Sequence, residues 1–148
     1  MQPHEGAWVG DEAEGPHGGV DAAGIPRVAA ALERWGQRFL DRVYTPAEQA
    51  YCRGRVESLA GRFAAKEAVS KALGTGIQRL RWRDIEILPD RRGRPTIYLY
   101  GKARARAEHI GAVWLSVSIT HTDDLAIAFV ILVFPLIPNP SPSRGEGR

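Results

Sequence analysis

The segment LAGRFAAKEAVSKALGTG, residues 59–76, decides how this chain folds. Its alanines, leucines, lysines and glutamate favour a helix, and we predict one from about residue 56 to residue 73. Gly74 and Gly76 should end this helix, because glycine readily adopts the left-handed backbone that closes a helix. Alanine recurs at every fourth position from Ala60 to Ala72. This row is small enough to let a neighbouring element approach the helix closely.

The charged residues of this helix have two interpretations. Glu67 and Lys71 are four apart and share a face with Phe63, and an exposed pair of this kind is worth only a few tenths of a kcal/mol. The alternative is a ligand site, since Arg62 and Lys66 add cations and the glycine-rich turn exposes backbone N–H groups to an anion. A carboxylate in such surroundings can hold Mg²⁺ together with phosphate oxygens. The spacing is not that of a Walker A loop.

The rest of the chain predicts an α+β domain. Pro26 suits the first turn of a helix, and the apolar residues after it fall on one helical face: Val28, Leu32, Trp35, Phe39 and Val43. Thr45 and Pro46 should begin a short second helix. The elements expected after the long helix are strands at 84–88 and 96–100, a helix at 102–109, and strands at 113–119 and 126–133.

Composition indicates one globular domain with a basic body. The chain has 148 residues, 44% of them hydrophobic and 25% charged. Residues 1–26 hold five acidic residues and no Lys or Arg, so all 20 basic residues lie in the remainder. This charge predicts a polyanionic partner, which could be nucleic acid, a phosphate-rich small molecule or an acidic protein. We expect residues 1–18 and 135–148 to be disordered and residues 19–134 to form the domain.

The sequence has no long apolar run and a single cysteine, and both features bear on where the protein is found and on its thiol chemistry. No apolar run approaches the roughly 20 residues that cross a bilayer, so we expect no membrane span and a cytoplasmic protein. Cys52 is the only cysteine, which excludes an internal disulfide and a cysteine-built zinc site. We expect Cys52 to be an idle thiol.

Several motifs, in order, resemble those of the holo-acyl-carrier-protein synthases of the 4'-phosphopantetheinyl transferase superfamily. Asp21 followed by Arg27, and then TPAE at 45–48, is similar to the start of this family. The run RFAAKEA at 62–68 with KALGTG at 71–76 looks like its signature. WRDIEI at 82–87, GRP at 93–95 and VSITHT at 117–122 resemble its later motifs. The resemblance covers about residues 19–133. The helix motif is specific, whereas the strand motifs alone are not.

The resemblance implies a fold, a reaction and partners. The fold would be an antiparallel sheet packed with a long central helix, in a homotrimer whose active sites lie between subunits. The reaction would move 4'-phosphopantetheine from coenzyme A to a serine of apo acyl carrier protein, as in fatty acid biosynthesis, with adenosine 3',5'-bisphosphate leaving. Mg²⁺ would be the metal.

The resemblance also implies roles for individual residues. Asp21 and Glu67 would bind the metal, and Glu67 and Lys71 would be catalytic. Arg27 and Arg34 would dock the carrier. The residues implied for coenzyme A are Arg62, Phe63, Lys66, Lys71, Gly74, Thr75, Gly76, Arg94, Pro95, Ser118, Thr120 and His121. From the residues alone, Asp21 could be an ordinary loop or capping aspartate.

Two departures from the family keep other functions open. The residues before Asp21 are Gly- and Pro-rich where relatives have an apolar strand, so Asp21 would be badly positioned if no strand forms. Ser116 stands where many relatives carry histidine. The alternatives are a transferase with broader carrier choice, and a degenerate coenzyme A-binding homologue with an impaired metal site. We expect no nucleic-acid partner, because basic residues are not interleaved with aromatics.

Overall fold

The structure is a computed structural model that describes residues 17–135. It has an α+β architecture, as predicted. In chain order the elements are β1 (His17–Gly24), α1 (Ile25–Trp35), α2 (Gln37–Val43), α3 (Pro46–Cys52), α4 (Val56–Ala72), two 3-10 turns (Ile77–Arg79 and Trp82–Asp84), β2 (Ile85–Pro89), β3 (Pro95–Leu99), α5 (Gly101–His109), β4 (Trp114–His121) and β5 (Leu125–Val133).

The long helix α4 is the centre of the core, and its alanine row lies against the sheet. Ala60, Ala64 and Ala68 are completely buried. Strand β1 crosses this row so closely that a Cβ atom on Gly19 would lie 1.9 Å from the carbonyl oxygen of Ala68. Small residues on both elements therefore set the distance between β1 and α4. The helix closes as predicted, since Gly74 has a φ of 76°.

The strands form two antiparallel sheets. The larger sheet has the order β1-β5-β4, and the smaller one pairs β2 with β3. In the larger sheet, Asp21 lies opposite Ala128, which lies opposite Ile119. This row faces α4, because a Cβ atom on Gly61 of α4 would lie 3.0 Å from the Ile119 side chain. Side chains of neighbouring positions point to the other face of the sheet.

The first strand forms despite its glycines, and the chain after it departs from the prediction. Strand β1 begins at His17, inside the stretch expected to be disordered; the remainder of the predicted tails, residues 1–16 and 136–148, lies outside the described residues. The continuous helix predicted after Pro26 is wrong, because Gly36 breaks it with a φ of 54°. Helices α1 and α2 bury Val28 and Val43, but Trp35 is 50% exposed instead of packed on the predicted apolar face.

A buried ion pair fixes α4 against α3 and β2. Thr45 and Glu48 form a capping box at the start of α3, as expected for the helix predicted there. Glu48 Oε1 also accepts a hydrogen bond from Lys66 Nζ at 2.7 Å, and Glu48 Oε2 accepts one from the Ile87 N–H at 2.9 Å. Both charged side chains are fully buried. Burial lowers the pKa of Lys66, and the charge of Glu48 opposes this effect.

No helix within residues 17–135 is both long enough and apolar enough to span a membrane.

Candidate active site

Asp21 lies near the middle of β1 and faces helix α4. Lys71 Nζ donates hydrogen bonds to Asp21 Oδ1 at 3.1 Å and to the Val20 carbonyl at 3.3 Å. Asp21 Oδ2 is buried, and no N–H or hydroxyl group of the described residues donates a hydrogen bond to it. A buried carboxylate oxygen of this kind requires compensation by a proton or a cation. The strand thus presents one oxygen of Asp21 to Lys71 and leaves the other oxygen for a further ligand.

Glu67 is the neighbour of Asp21, one turn before Lys71 on the same helix. The two carboxyl groups are within hydrogen-bonding reach of each other. Burial, the hydrogen bond to Asp21 and the negative charge of Asp21 raise the pKa of Glu67 to about 7. Burial also opposes ionisation of Asp21, but hydrogen bonds to Glu67 and Lys71 hold the pKa of Asp21 below its usual value. Near neutral pH, Asp21 is therefore ionised while Glu67 can take up or release a proton.

The donor set of this pair suits a hard divalent cation. Two neighbouring carboxyl groups, one of which has a buried oxygen that no N–H group satisfies, can bind Mg²⁺ when substrate phosphates and water complete its shell. Within residues 17–135 there is no cluster of three or more His, Cys, Asp or Glu side chains that could hold a metal by itself. The pair therefore fits a metal shared with a substrate better than a closed structural metal site.

A cleft of about 220 Å³ opens beside Glu67. Arg27 and Phe63 line it together with Glu67, and its other walls are mainly apolar: Ala22, Ala23, Gly24, Val28, Ala31 and Phe39. Phe63 is held in place by stacking on Trp82, with the ring centres 4.7 Å apart. Arg27 is close enough to oppose the rise in the pKa of Glu67. The cleft can therefore admit a substrate group to the carboxylate pair, with one arginine at its edge.

Known proteins are similar to this chain in sequence and in fold. The sequence model of the 4'-phosphopantetheinyl transferase superfamily matches residues 18–130. The chain belongs to this superfamily. A holo-[acyl-carrier-protein] synthase of Herpetosiphon aurantiacus is 47% identical over 120 residues, which cover 76% of this chain and 94% of the relative. The protein of the same name from Solidesulfovibrio magneticus is 49% identical over 116 residues, which cover 77% of this chain and 94% of the relative.

A solved structure of the superfamily has the same fold. The Helicobacter pylori holo-[acyl-carrier-protein] synthase in complex with coenzyme A aligns with a TM-score of 0.72 and 35% identity, covering 78% of this chain and 99% of that one. Three of the residues to which the resemblance assigns roles, Asp21, Glu67 and Lys71, lie together, with Phe63 and Arg27 beside them.

Lys66 and Arg62 are buried in the protomer. Lys66 is fully buried and its ammonium group binds Glu48, the Trp82 carbonyl and the Ile85 carbonyl. Arg62 is 7% exposed, and its Nε donates to the Ile87 carbonyl at 3.2 Å. The coenzyme A contacts implied for these two side chains stay a prediction. Both cations hold α4 against β2, because a buried charge must be paired or hydrogen-bonded.

The glycine turn after α4 also has a structural task. The N–H groups of Thr75 and Gly76 both donate to the Ser70 carbonyl, at 3.2 and 3.3 Å, and Gly74 donates to the Lys71 carbonyl. These donors complete the end of the helix, and the contact of this turn with coenzyme A stays a prediction. The Thr75 hydroxyl oxygen is buried without a hydrogen-bond partner.

The later motifs of the superfamily lie away from Asp21 in the protomer. Ser118 and Thr120 are exposed and flank Ile119, so they point to the outer face of the sheet while Asp21 points to the inner face. His121 is exposed at the end of β4. Arg94 lies in the turn between β2 and β3, and Pro95 is the first residue of β3 in the smaller sheet. One protomer thus does not gather the whole implied coenzyme A site.

Sequence reasoning missed Arg106. Its Nε donates to the Leu73 carbonyl at 2.9 Å, and its guanidinium would lie 3.4 Å from a Cβ atom on Gly74. Arg106 therefore supports the turn that follows Lys71. The signal for it was weak, because one arginine in a charged helix is normally solvated. Cys52 is buried and burial raises the pKa of its thiol, so it is an unreactive core residue, as expected.

Proposed function

We propose that this chain transfers the 4'-phosphopantetheine group of coenzyme A to a serine of apo acyl carrier protein in a magnesium-dependent reaction. The products are holo carrier and adenosine 3',5'-bisphosphate, and a cytoplasmic setting within fatty acid biosynthesis fits these substrates. The observation that carries the proposal is the Asp21–Glu67 carboxylate pair with Lys71, beside a cleft, in a chain of the 4'-phosphopantetheinyl transferase superfamily.

The chemistry requires compensation of phosphate charge. The serine hydroxyl attacks the β-phosphorus of coenzyme A, and negative charge spreads over the phosphoryl oxygens in the transition state. Asp21 and Glu67 would hold the metal, which supplies positive charge and polarises a phosphate oxygen when bound. Lys71 Nζ already lies 3.1 Å from Asp21 Oδ1, at the edge of this pair, and is half exposed. Its ammonium group can donate to a phosphate oxygen and stabilise the developing charge.

Glu67 is one candidate to take the serine proton, because a carboxylate beside the reacting group can act as a general base. Its carboxyl group lines the cleft through which a serine side chain could approach. A water molecule is the other candidate for this proton. In both cases Phe63 and the apolar cleft wall would exclude further water from the reacting group.

The outer face of the larger sheet supports a homotrimer with active sites between subunits. This face exposes large apolar side chains of adjacent strands: Val20 at 54%, Phe129 at 45%, Ile131 at 39% and Trp114 at 61%. Exposed apolar patches commonly mark protein interfaces. Ser118 and Thr120 share this face, opposite to Asp21. A second subunit packed here would place Ser118 and Thr120 at the subunit interface, which is where the superfamily resemblance locates the coenzyme A site.

The degenerate alternative loses its main support. It depended on the first strand failing to form, but β1 extends from His17 to Gly24 and pairs with β5 along its whole length. Asp21 is also directly hydrogen-bonded to Lys71. The alternative of broader carrier choice differs only in substrate range. Relative transfer rates on fatty-acid carriers and on secondary-metabolite carriers distinguish it.

The test of the proposed reaction is its stoichiometry. The protein is incubated with coenzyme A, Mg²⁺ and apo acyl carrier protein, and both the carrier mass and the released adenosine 3',5'-bisphosphate are measured. We expect one bisphosphate for each carrier that gains one phosphopantetheine arm, and no release with a carrier whose acceptor serine is replaced by alanine. Bisphosphate release without a carrier mass gain would mean hydrolysis rather than transfer.

A further inference from the structure

Arg106 on α5 contacts the end of α4, next to the last turn that carries Lys71. Its Nε donates a hydrogen bond to the Leu73 carbonyl at 2.9 Å, and its Nη2 would lie 3.4 Å from a Cβ atom on Gly74. The guanidinium therefore lies against the peptide unit that joins Leu73 to Gly74. Arg106 is half-buried and forms no ion pair with a carboxylate of residues 17–135. Its charge is thus directed at the helix end rather than at an acidic side chain.

The same peptide unit is bound on its other side to Lys71. The Gly74 N–H donates to the Lys71 carbonyl at 3.0 Å. One peptide plane thus has its carbonyl held by Arg106 and its N–H held by Lys71. Because a peptide unit is rigid and planar, fixing its carbonyl also fixes the direction of its N–H. The backbone of Lys71 is therefore connected to α5 through a single peptide.

The end of α4 uses a donor from another helix. The last carbonyls of a helix have no partner within the helix. N–H groups of the following turn satisfy the Ser70 carbonyl, whereas the Leu73 carbonyl accepts from Arg106. A cation at the C-terminus of a helix also interacts favourably with the helix dipole. Arg106 thus stabilises this end both by a hydrogen bond and by its charge.

The opposite side of the last turn is held by β1. A Cβ atom on Gly19 would lie 3.0 Å from Ala72 N, so the strand backbone contacts α4 closely beside Lys71. Lys71 Nζ then donates to Asp21 Oδ1 on the same strand. Lys71 therefore lies between β1 and α5, and α5 reaches it through Arg106. Loss of Arg106 would release the turn on the α5 side.

We propose that Arg106 is a positioning residue for Lys71, which holds the end of α4 so that the Lys71 ammonium group stays beside Asp21. This inference rests on the proposed function, in which Lys71 stabilises the charge of the phosphate under attack. Arg106 acts through Lys71 and does not itself contact substrate. A displacement of about 1 Å in a catalytic group can cost about a hundredfold in rate, so loosening one turn should have a smaller but measurable effect.

The three lysines of the chain provide a readout of this position that does not depend on activity. Lys66 is fully buried, Lys102 is exposed and Lys71 is half exposed. The full chain is labelled without coenzyme A by a trace of an acylating reagent, and mass spectrometry measures the labelling of each lysine. Arg106→Leu should raise the labelling of Lys71 relative to Lys102 about threefold, because the Lys71 nitrogen leaves its acceptors more often. Lys66 should stay unlabelled in every folded variant.

Two variants of α5 serve as controls. Arg104→Leu removes an arginine from the same helix, but the Arg104 side chain is 71% exposed and pairs with Glu108. It should leave labelling and transfer within about twofold of the wild-type chain, since exposed ion pairs contribute little. Arg106→Lys keeps the charge and a donor, so it should recover part of both losses seen in Arg106→Leu.

A double-mutant cycle distinguishes positioning of Lys71 from general support of the fold. Arg106→Leu should lower kcat about tenfold in the wild-type chain, but about twofold or less in a Lys71→Ala chain, which lacks the group that Arg106 positions. The slow Lys71→Ala chains are assayed at raised enzyme concentration. The KM values for coenzyme A and carrier should change about twofold or less, because Arg106 binds neither substrate.

Three results would overturn the inference. They are unchanged Lys71 labelling in Arg106→Leu, an equal loss of kcat with and without Lys71, and a rise confined to the KM for coenzyme A, which would make Arg106 a substrate ligand. The labelling separates this inference from the proposed reaction. A chain that transfers nothing, but whose Lys71 is released by Arg106→Leu, would refute the reaction alone. Unchanged labelling in an active chain would refute the positioning role alone.

Discussion

Replacing Gly19 by alanine should separate β1 from α4 and misplace Asp21. The added Cβ atom would lie 1.9 Å from the Ala68 carbonyl oxygen, whereas ordinary contacts of a Cβ atom begin at 3.4 Å. The strand or the helix must therefore move by about 1.5 Å, in a region packed as densely as a crystal. The nearest atoms belong to the helix backbone, including Ala72 N at 3.0 Å, so no flexible side chain can relieve the overlap.

The expected cost follows from this overlap. Overpacking a rigid core costs about 1–3 kcal/mol, and contact with backbone on both sides places Gly19→Ala near 3 kcal/mol. For a domain of this size that lowers the melting temperature by about 10 °C. Asp21 is two residues further along the same face of β1. A displacement of about 1 Å in a catalytic group can cost about a hundredfold in rate, so we expect kcat/KM to fall by about this factor.

Gly18 provides the matched control. It is the adjacent glycine on the same strand, but a Cβ atom there would make an ordinary contact of 3.4 Å with the Val130 carbonyl oxygen. Urea unfolding and carrier-modification rates are measured for both alanine variants, with light scattering to follow the oligomeric state. Gly18→Ala should change the free energy of unfolding by less than about 1 kcal/mol. Equal stability and activity of the two variants would refute the proposed close packing of β1 on α4.

Three further perturbations test the core, the site and the subunit interface. Lys66→Met leaves Glu48 buried without its partner and should lower the free energy of unfolding in urea by about 3–5 kcal/mol. The double variant Glu48→Leu/Lys66→Met should regain part of this free energy. A loss below about 1 kcal/mol in Lys66→Met would contradict the buried ion pair. Because the pKa of Glu67 is about 7, its proton competes with Mg²⁺ below that pH. With coenzyme A present, Mg²⁺ should therefore raise the melting temperature more at pH 8 than at pH 6, and this pH dependence should vanish in Glu67→Gln. Without metal, Glu67 of the folded chain keeps a proton that the unfolded chain releases. Its contribution to the free energy of unfolding should therefore decrease as the pH rises from about 4.5 to about 7. Phe129→Glu places a charge on the exposed outer sheet face and should yield a folded, inactive monomer by light scattering, whereas an active trimer would contradict the interface.

The sequence was sufficient for the elements whose signals are local. Alanine content and the closing glycines predicted α4, and short strand-like or apolar runs predicted the four later strands. Asp21 and Glu67 are far apart in the chain, so their pairing came from the family resemblance and not from periodicity. Strand β1 shows the limit of local propensity. Its glycines disfavour a strand, but hydrogen bonding with β5 stabilises the strand. The close approach to Ala68 requires glycine at position 19, because a Cβ atom would not fit there.

The remaining differences arise from contacts that a pattern does not encode. Gly36 could have continued a helix at a modest cost, and only its left-handed backbone shows that the chain turns there. Burial of Lys66 was not predicted because lysine is rarely buried, but Glu48 from another helix compensates its charge. The N–H groups of the Gly74–Gly76 turn complete the helix end, which a glycine-rich pattern alone does not predict.

The dependence of transfer on Mg²⁺ and Asp21 tests the central claim most directly. Intact-mass measurement of apo acyl carrier protein follows its reaction with coenzyme A over a series of Mg²⁺ concentrations, with the wild-type chain and with Asp21→Asn. The wild-type chain should add one phosphopantetheine arm only when Mg²⁺ is present, and Asp21→Asn should require at least about tenfold more Mg²⁺ for the same rate. Full conversion by the wild-type chain in excess chelator, or identical Mg²⁺ dependence of the two proteins, would contradict the account.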